Sequence, residues 1–455
     1  MPPPQSSGGE QVCILGLGYV GLTLAVVMAE RGYRVVGVEI NPETLRVLQS
    51  GTAHFYEVGL TLRLGRQLRL GNLRVTGSVQ DAATCTTFLI TVGTPLNAEG
   101  VPRLDMVERV TRDIASVMND DSIVILRSTV KIGTTRKVVV PILEATGKRF
   151  QVAYCPERTI EGRALEELVR LPQIVGGGDP DASWRAMQLF QRITPTTIRV
   201  STLETAELIK LLDNSYRDLF FSFGNEVAML CDAVGLDAAE VINAANTGYE
   251  RTSIAKPGLV GGPCLEKDPH ILAASLSDVN FHPRLIATGR ALNESLPEKI
   301  VEAINAQVAK DEWPKQIRIA ICGIAFKGRP ETDDTRGTPT KYVIDALREQ
   351  FPEATFVGQD FAVKPEAISA FGLTPVTIEA AFEGSHLVVV TNNNSKYEWL
   401  DIDKEVEKMA RPGVVFDCWG VLPASFADMP ANIRFLRLGC SSQTAAAKLR
   451  KHVYA

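Results

Sequence analysis

The stretch Val12-Cys-Ile-Leu-Gly16-Leu-Gly18-Tyr19-Val20-Gly21 decides the fold of the amino-terminal part of this chain. Its apolar start predicts a β-strand that runs directly into Gly-x-Gly-x-x-Gly, and residues 22–31 predict a helix. The first glycine permits a tight turn, the second lets the backbone approach a pyrophosphate, and the third allows close packing of helix on strand. The helix amino terminus offers N–H groups and about half a positive charge to a phosphate. These residues therefore predict a dinucleotide site at Gly16, Gly18, Tyr19, Val20 and Gly21.

Three further strand ends refine this site. The strand after the first helix ends in Glu39, whose carboxylate can accept the ribose hydroxyls of NAD and repel the 2′-phosphate of NADP. NAD is the predicted cofactor, and FAD is the alternative for the same fingerprint. Thr94 and Thr129 follow two other apolar strands, and ligands of open α/β sheets gather at such carboxyl ends. Both are predicted cofactor contacts, although hydroxyl residues in turns also satisfy their own backbone.

Short β-branched runs alternate with helical stretches up to about residue 200, which predicts βαβ units and a doubly wound parallel sheet. Strands are predicted at Val12–Leu15, Val35–Glu39, Leu73–Thr76, Thr87–Val92, Ser122–Leu126 and Phe150–Ala153. Apolar residues then recur at helical spacing, and a second strand-first segment begins near Gln316. The predicted fold class is α/β, with two Rossmann-like doubly wound domains joined by a central all-helical domain. The predicted segments are a disordered tail (1–10), the NAD-binding domain (11–201), the helical domain (202–310) and the second Rossmann-like domain (311–455).

Composition excludes several classes of protein. The 455 residues carry 48 Lys and Arg against 53 Asp and Glu, a net charge of −5 that does not suit non-specific binding to nucleic acid. No run approaches the roughly 20 apolar residues that span a bilayer, so no membrane association is predicted. The eight cysteines form no Cys-x-x-Cys pair and the five histidines do not cluster, so we predict no metal site and no disulfide framework. A cytoplasmic protein is predicted.

The segment from Gly261 to Asp268, Gly-Gly-Pro-Cys264-Leu-Glu-Lys267-Asp, carries the candidate nucleophile. A thiol has a pKa near 8.5, and a nearby cation such as Lys267 would lower it into a reactive range. The alternative for Cys264 is an inert buried thiol. For Asp268 it is the N-cap of a helix that starts at Pro269, because Asp followed by Pro is a common helix start.

Two other segments supply candidate polar groups. Lys210 and Asn214 are four residues apart, hence on one face of a helix, although a surface pair with Glu207 or Asp213 is the alternative. Cys155-Pro-Glu157-Arg158 follows a predicted strand, and a carboxylate there would face the cofactor crevice. A simple Glu–Arg surface pair is the alternative for Glu157.

Together these motifs resemble the UDP-glucose/GDP-mannose dehydrogenase family over nearly the whole chain. The resemblance rests on Gly16-Leu-Gly18, Thr94-Pro, Ser128-Thr129-Val, Pro156-Glu157-Arg158, Lys210 with Asn214, Gly261 to Asp268, and Gly323-Ile-Ala-Phe326-Lys327 with Asp333-Asp-Thr-Arg336. It implies an NAD-dependent four-electron oxidation of the C6 alcohol of a UDP-sugar to a carboxylate, in polysaccharide biosynthesis. The Cys264 thiol would attack the aldehyde, and the thiohemiacetal would be oxidised to a thioester that water hydrolyses.

The same resemblance assigns roles to single residues. Lys210 and Asn214 would stabilise the developing alkoxide. Asp268, with Thr129 and Glu157 positioning water, would assist proton transfer and hydrolysis. The substrate-binding residues it implies are Glu157, Arg158, Glu161, Lys210, Asn214, Arg251, Gly261, Phe326, Lys327 and Arg336. Arg251 matches an arginine that reaches the substrate of a neighbouring subunit, so a homodimer built on the central helices is implied.

The sugar is less narrowly defined. Cys-Pro-Glu157-Arg158 resembles the UDP-N-acetylhexosamine branch, which favours UDP-N-acetylmannosamine or UDP-N-acetylglucosamine. Glu161-Gly162 and Glu266 depart from that branch's usual pattern, so UDP-glucose stays an alternative. Two other hypotheses are a catalytically silent sugar-nucleotide-binding protein and a two-electron hydroxy-acid dehydrogenase. Intact Cys264, Lys210, Asn214 and Asp268 argue against the silent protein, and the two-electron enzyme would have no use for Cys264.

Overall fold

The computed structural model describes residues 10–97, 100–423 and 429–440. The predicted tail therefore lies outside the described residues except for Glu10. Fourteen strands are described: β1 (Gln11–Leu15), β2 (Arg34–Val38), β3 (Leu73–Thr76), β4 (Thr87–Ile90), β5 (Ser122–Leu126), β6 (Phe150–Tyr154), β7 (Gln173–Gly177), β8 (Thr197–Val200), β9 (Arg318–Cys322), β10 (Thr355–Gln359), β11 (Thr374–Pro375), β12 (Leu387–Val390), β13 (Gly413–Asp417) and β14 (Ile433–Arg437).

Sixteen α-helices are described in the same ranges: α1 (Tyr19–Glu30), α2 (Pro42–Gln49), α3 (Leu60–Arg69), α4 (Asp105–Val117), α5 (Val140–Glu144), α6 (Ala164–Glu167), α7 (Pro180–Gln191), α8 (Leu203–Val234), α9 (Ala238–Asn246), α10 (Gly262–Leu265), α11 (Asp268–Ser275), α12 (Arg284–Val308), α13 (Thr340–Gln350), α14 (Pro365–Ser369), α15 (Ile378–Phe382) and α16 (Ile402–Glu407). Helices α8 to α12 occupy the stretch in which the sequence shows helical periodicity and no strand pattern.

The first sheet has eight strands in the order β3-β2-β1-β4-β5-β6-β7-β8. The first six are parallel, and their order reverses beside β1, as in a Rossmann fold. Strand β7 pairs antiparallel with β6, so β7 and β8 depart from the all-parallel prediction. Neither strand was predicted, because β7 has only two branched apolar residues beside two glycines and β8 is largely exposed.

The second sheet has six parallel strands in the order β11-β10-β9-β12-β13-β14. Each sheet has one apolar core on either face, which explains why the central strands are continuous runs of Val, Ile and Leu. The prediction of two Rossmann-like sheets and an intervening helical region is therefore confirmed.

The chain forms two compact units, one of residues 1–213 and 270–282 and the other of residues 214–269 and 283–455. The first contains the eight-stranded sheet, and the second contains most of the central helices and the six-stranded sheet. The boundaries predicted at 201/202 and 310/311 stay predictions. Within the described ranges no helix is long and apolar enough to cross a membrane.

Candidate active site

The turn between β1 and α1 has the geometry that its three glycines predict. Gly16 has a φ of +92°, a conformation that side chains other than glycine rarely adopt. A Cβ on Gly21 would overlap the carbonyl oxygen of Gly16, so the turn requires glycine there for packing. A Cβ on Gly18 would meet no atom within 4 Å, so this face of the turn is open to a ligand. Tyr19 stacks on Phe55, with ring centroids 3.9 Å apart.

Glu39 directly follows β2 and lies beside this turn. Its carboxylate accepts hydrogen bonds from the backbone N–H of Leu17 (3.0 Å) and of Asn41 (2.9 Å). The first turn of α1 has no acidic residue, so its positive end is not neutralised from within the helix. The site therefore fits a dinucleotide with free ribose hydroxyls. It combines the open face at Gly18, the amino terminus of α1 and the fixed carboxylate of Glu39.

Hydroxyl groups at the carboxyl ends of β4 and β5 donate to neighbouring backbone. The Thr94 hydroxyl donates to the carbonyl of Thr129, and the Ser128 hydroxyl donates to the carbonyl of Val92 (2.6 Å). Thr94 and Thr129 therefore lie together at the edge of the sheet where the dinucleotide turn also lies. Because the Thr94 hydroxyl donates its proton to Thr129, its oxygen lone pairs are what it can offer to a cofactor.

Glu157 is buried after β6 and does not form the surface pair with Arg158 that was the alternative. Its carboxylate pairs with Arg127 (2.5 Å) and accepts the backbone N–H groups of Arg158 (2.8 Å) and Thr159 (2.9 Å). Burial acts to raise the pKa of Glu157, but the Arg127 charge and these hydrogen bonds outweigh it and hold that pKa below its usual value. Arg158 pairs instead with Asp213 (2.8 Å), and Glu161 is half-buried four residues after Glu157.

Lys210 lies in the first unit on α8 and is only 7% exposed. The surface pairs considered for it are wrong, because Asp213 pairs with Arg158 and Glu207 is fully buried. Glu207 accepts the backbone N–H groups of Gly133 and Thr135, so it anchors the segment that follows Thr129. Burial raises the pKa of Glu207. No hydrogen-bond or ion-pair partner of the Lys210 ammonium is found in the part of the chain that the structure describes.

Asp268 is fully buried and accepts hydrogen bonds from two side chains in the second unit. Its Oδ2 accepts from the Asn214 amide at 2.5 Å, and its Oδ1 accepts from the Lys267 ammonium at 3.0 Å. Helix α11 begins at Asp268 itself, so the predicted N-cap one residue before Pro269 is wrong by one position. The Lys267 charge therefore faces the Asp268 carboxylate, whereas the sequence suggested that it would face Cys264.

Cys264 is exposed, which rules out the inert buried thiol. All eight cysteines lie within the described ranges, and the other seven are buried. Burial raises the pKa of each of these seven thiols, to about 11 for Cys85 and about 12 for Cys155 and Cys322. Because the thiolate is the nucleophilic form, the buried cysteines are unreactive by comparison.

The turn that carries Cys264 lies against residues 326–342 within the second unit. The N–H of Gly262 donates to the carbonyl of Gly337 (2.6 Å), and a Cβ on Gly262 would overlap the Phe326 ring. Gly262 also has a φ of +90°, so both space and conformation require glycine. Glu266 accepts a hydrogen bond from the Tyr342 hydroxyl (2.7 Å). The turn that carries Cys264 therefore packs against Phe326 through Gly262 and against Gly337 through Gly261.

The predicted basic substrate contacts differ in their surroundings. The Lys327 ammonium is 5.2 Å from the centre of the Phe326 ring. Arg336 is exposed, and its Nη2 is 2.6 Å from the Asp334 carboxylate, which fixes the guanidinium beside the turn. Arg251 is exposed after α9 and donates from Nε to the Tyr249 hydroxyl (3.1 Å).

Two buried arginines were missed in the sequence. Arg127 lies at the end of β5, and its guanidinium contacts Glu157, the Gln173 side chain (2.9 Å) and the Phe190 ring. Arg290 lies within α12 and bonds to Asp218. A charged residue inside an apolar run, as in Ile125-Leu-Arg127, was the available signal for Arg127. No group of three or more potential metal-ligating residues was found among the described residues.

Comparison with known proteins decides the family. Three models of the UDP-glucose/GDP-mannose dehydrogenase family match this chain: the NAD binding domain over residues 10–194, the central domain over 204–295 and the UDP binding domain over 320–424. The chain belongs to the UDP-glucose/GDP-mannose dehydrogenase family. As a member of this dehydrogenase family it is an NAD-dependent oxidoreductase of UDP-sugars, which confirms the predicted enzyme class and cofactor.

Similar family members include the UDP-N-acetyl-D-mannosamine dehydrogenase of Pyrococcus horikoshii, which is 35% identical over 408 residues, covering 87% of this chain and 93% of that one. A solved structure of UDP-D-ManNAc dehydrogenase from Pyrococcus horikoshii matches with a TM-score of 0.85 at 32% identity, covering 95% of this chain and 99% of the other. A UDP-glucose dehydrogenase from Pyrobaculum islandicum matches with a TM-score of 0.84 at 28% identity, covering 96% and 99%.

Proposed function

We propose that this enzyme oxidises the C6 hydroxyl of a UDP-N-acetylhexosamine, with UDP-N-acetylmannosamine favoured, to the uronic acid. The observation that carries this proposal is the exposure of Cys264 alone among eight cysteines, on a turn held against Phe326 and Gly337 in the unit that contains the UDP binding domain. The favoured sugar rests on the Cys-Pro-Glu157-Arg158 segment and on the similarity to UDP-N-acetyl-D-mannosamine dehydrogenase.

The proposed reaction converts one CH₂OH group and one water into a carboxylate, passes one hydride to each of two NAD molecules and releases three protons. Bound NAD supplies the hydride acceptor in each oxidation. In the first oxidation the C6 hydroxyl loses its proton and C6 loses a hydride, which gives an aldehyde. The Lys210 ammonium stabilises the negative charge that develops on the sugar oxygen, a role suited to a buried cation without a partner among the described residues.

The second oxidation needs a nucleophile, because an aldehyde is a poor hydride donor until a group adds to its carbonyl carbon. The Cys264 sulfur forms a bond to C6, and the carbonyl oxygen takes a proton to give a thiohemiacetal. Loss of the hydroxyl proton and of a hydride from C6 then leaves a thioester. Water attacks the thioester carbon, the carbon–sulfur bond breaks, and the thiol is regenerated. Asp268, fixed by Asn214 and Lys267, is the proposed proton acceptor for this water.

The remaining residues are proposed to position reactants. Glu157 is ionised and engaged with Arg127, so we assign it to holding the β6 end and orienting water rather than to accepting a proton. The other proposed contacts follow the sequence assignment. They are Gly16, Gly18, Tyr19, Val20, Gly21, Glu39, Thr94 and Thr129 for NAD, and Arg158, Glu161, Asn214, Arg251, Gly261, Phe326, Lys327 and Arg336 for the UDP-sugar.

A homodimer is part of the proposal. On α8, Tyr216, Phe223, Leu230 and Val234 are each more than half exposed and recur at intervals of seven, seven and four residues. This spacing places them on one helix face, and a contiguous apolar face of this kind indicates an interface. A second copy is the occupant that fits, since Arg251 is exposed and is proposed to reach a neighbouring substrate. Cytoplasmic location and a role in polysaccharide biosynthesis stay predictions.

The proposal is tested by incubating the purified protein with NAD and separate UDP-sugars and measuring NADH and sugar products. The panel contains UDP-N-acetylmannosamine, UDP-N-acetylglucosamine, UDP-glucose and UDP-galactose. Two NADH per sugar with an N-acetylhexosamine donor is the expected result. Two NADH with UDP-glucose alone would establish the alternative substrate. One NADH per sugar would contradict the role given to Cys264.

Variants separate the proposed enzyme from the silent binding protein. Cys264→Ala should abolish uronic acid formation while leaving NAD affinity unchanged. Cys85→Ala is the matched control, because Cys85 is buried in the first unit. This variant should still form two NADH per sugar. Full uronic acid formation by Cys264→Ala would overturn the covalent mechanism. Absence of turnover with every donor in the unaltered protein would favour the silent binding protein.

A further inference from the structure

A buried hydrogen-bond cluster lies behind the turn that carries Cys264. It consists of Asp218 and Asn225 on α8 and Arg290 and Asn293 on α12, and the sequence analysis assigned a role to none of these four residues. All four are at most 3% exposed. We call these four residues the α8–α12 cluster. All of them, and the cysteine turn, belong to the second unit.

Arg290 contacts the cysteine turn on both sides of the nucleophile. Its Nη2 donates to the carbonyl of Val260 (3.3 Å), and its Nη1 donates to the carbonyl of Leu265 (3.0 Å). The same Nη1 donates to Asp218 Oδ1 (2.8 Å). A planar guanidinium can serve these acceptors at once because its N–H groups point in fixed, divergent directions, whereas a lysine ammonium is a single point donor.

The asparagines extend this contact to the start of the turn. The Asn225 amide accepts the N–H of Gly258 (2.8 Å) and donates to the carbonyl of Gly258 (3.1 Å). It also donates to Asn293 Oδ1 (2.9 Å), and Asn293 in turn donates to Asp218 Oδ1 (3.0 Å). One continuous network therefore bonds to the backbone of Gly258, Val260 and Leu265.

Close packing alone does not hold this side of the turn. A cavity of about 250 Å³ lies there, and its lining includes Val260, Gly261, Glu266 and Arg290. A turn that borders a pocket has fewer packed protein neighbours on that side, so directional bonds contribute more to its position. A buried ion pair is also a poor source of net stability, because removing two charges from water offsets most of their attraction. Both arguments indicate that the α8–α12 cluster holds the cysteine turn in position and adds little net stability.

We propose that Arg290, supported by Asp218, Asn293 and Asn225, is a positioning residue that orients the Cys264 thiol for attack on the aldehyde carbon. This inference rests on the proposed function. It assigns Arg290 to the second oxidation, since the first oxidation removes a hydride before the thiol is needed. A displacement of about 1 Å at a reacting atom costs on the order of 100-fold in rate, so weakened backbone bonds should slow thiol addition selectively.

The test compares Arg290→Lys with Arg434→Lys. Arg434 is a matched control, because it also forms an ion pair with a carboxylate (Asp311, 2.5 Å) and donates to a backbone carbonyl (Gln307, 3.0 Å), at the other end of α12. Arg290→Lys keeps the charge opposite Asp218 but cannot reproduce the fork. For Arg290→Lys we expect the yield of NADH per sugar to fall from two toward one, and a hydroxylamine reagent to trap the aldehyde. The initial rate of NADH formation should stay within about threefold of that of the unaltered protein. Arg434→Lys should retain two NADH and form no trapped aldehyde.

A second readout needs neither cofactor nor substrate. Backbone amide hydrogen exchange of a peptide covering residues 258–268 should become about tenfold faster in Arg290→Lys and stay unchanged in Arg434→Lys, because only the former loosens the turn. Should Arg290→Lys fail to fold, Asn225→Ala provides the same two measurements without altering a buried charge. Two NADH per sugar and unchanged exchange in a folded variant would overturn the positioning role. Fewer than two NADH from the unaltered protein would instead overturn the proposed function, while the exchange result would still stand.

Discussion

The Asn214 amide donates a 2.5 Å hydrogen bond to Asp268 Oδ2, across 54 positions of sequence. Both side chains are buried, and the second Asp268 oxygen accepts from Lys267. Asp268 therefore has its orientation fixed by two donors, as a proton acceptor with a defined position requires.

This bond predicts non-additive kinetics. Asp268→Asn and Asn214→Ala should each lower kcat, by about 100-fold for the former, the low end of what a proton-transfer group contributes. The double variant should be little slower than Asp268→Asn, because the amide acts through the carboxylate. The cycle is measured as kcat with saturating NAD and sugar. Losses that multiply would show that the two residues act independently.

Gly18 and Gly21 should respond differently to alanine. Gly18→Ala meets no protein atom, so its melting temperature should be unchanged while the Kd for NAD rises about tenfold or more, since the methyl group occupies the open face of the turn. Gly21→Ala overlaps the Gly16 carbonyl and should lower the melting temperature by several degrees. Calorimetry and NAD titration measure both effects. Unchanged NAD affinity in Gly18→Ala would place the dinucleotide elsewhere.

Glu39 should control the choice between NAD and NADP. Glu39→Gln preserves the shape of the side chain but removes the charge that repels a 2′-phosphate, so the ratio of the Kd for NADP to that for NAD should fall about tenfold. Glu43→Gln is the matched control, because Glu43 is exposed on α2 and pairs with Arg46. Fluorescence titration with both nucleotides gives the ratio. An equal change in the two variants would attribute discrimination to general surface charge.

The exposed face of α8 should be the dimer contact. Phe223→Glu places a charge in the middle of that face and should convert a particle of twice 49.5 kDa into one of 49.5 kDa, measured by sedimentation velocity. Trp399→Glu is the control, since Trp399 is the more exposed aromatic and lies in a different part of the second unit. Dissociation by the control alone would refute this interface.

Asp417 should make stability depend on pH. Burial raises its pKa from 3.8 to about 6, although it accepts backbone N–H groups of Trp419 and Leu422. Because the folded protein favours the protonated form of Asp417, this group adds to the free energy of unfolding at low pH. That contribution is complete below pH 4 and is lost as the pH rises through 6. Relative to Asp417→Asn, the free energy of unfolding of the unaltered protein should fall by roughly 3 kcal/mol between pH 4 and 7. Melting temperatures across this range test the trend, which a constant difference would contradict.

The sequence by itself determined the two sheets, the dinucleotide turn and the identity of the candidate nucleophile. These features depend on short-range rules: a buried parallel strand needs a continuous apolar run, and the turn at Gly16 needs a residue with a positive φ. Strands β7 and β8 were missed because β7 has little apolar character and β8 is largely exposed.

The tertiary structure alone decided which polar groups meet. Glu157 pairs with Arg127 across 30 positions, Asp268 with Asn214 across 54, and Arg290 with Asp218 across 72. It also decided that Cys264 is exposed while seven chemically identical side chains are buried. The physical reason is that a buried charge must find a partner, and several candidates exist along the chain. Only the packing of distant elements selects among them.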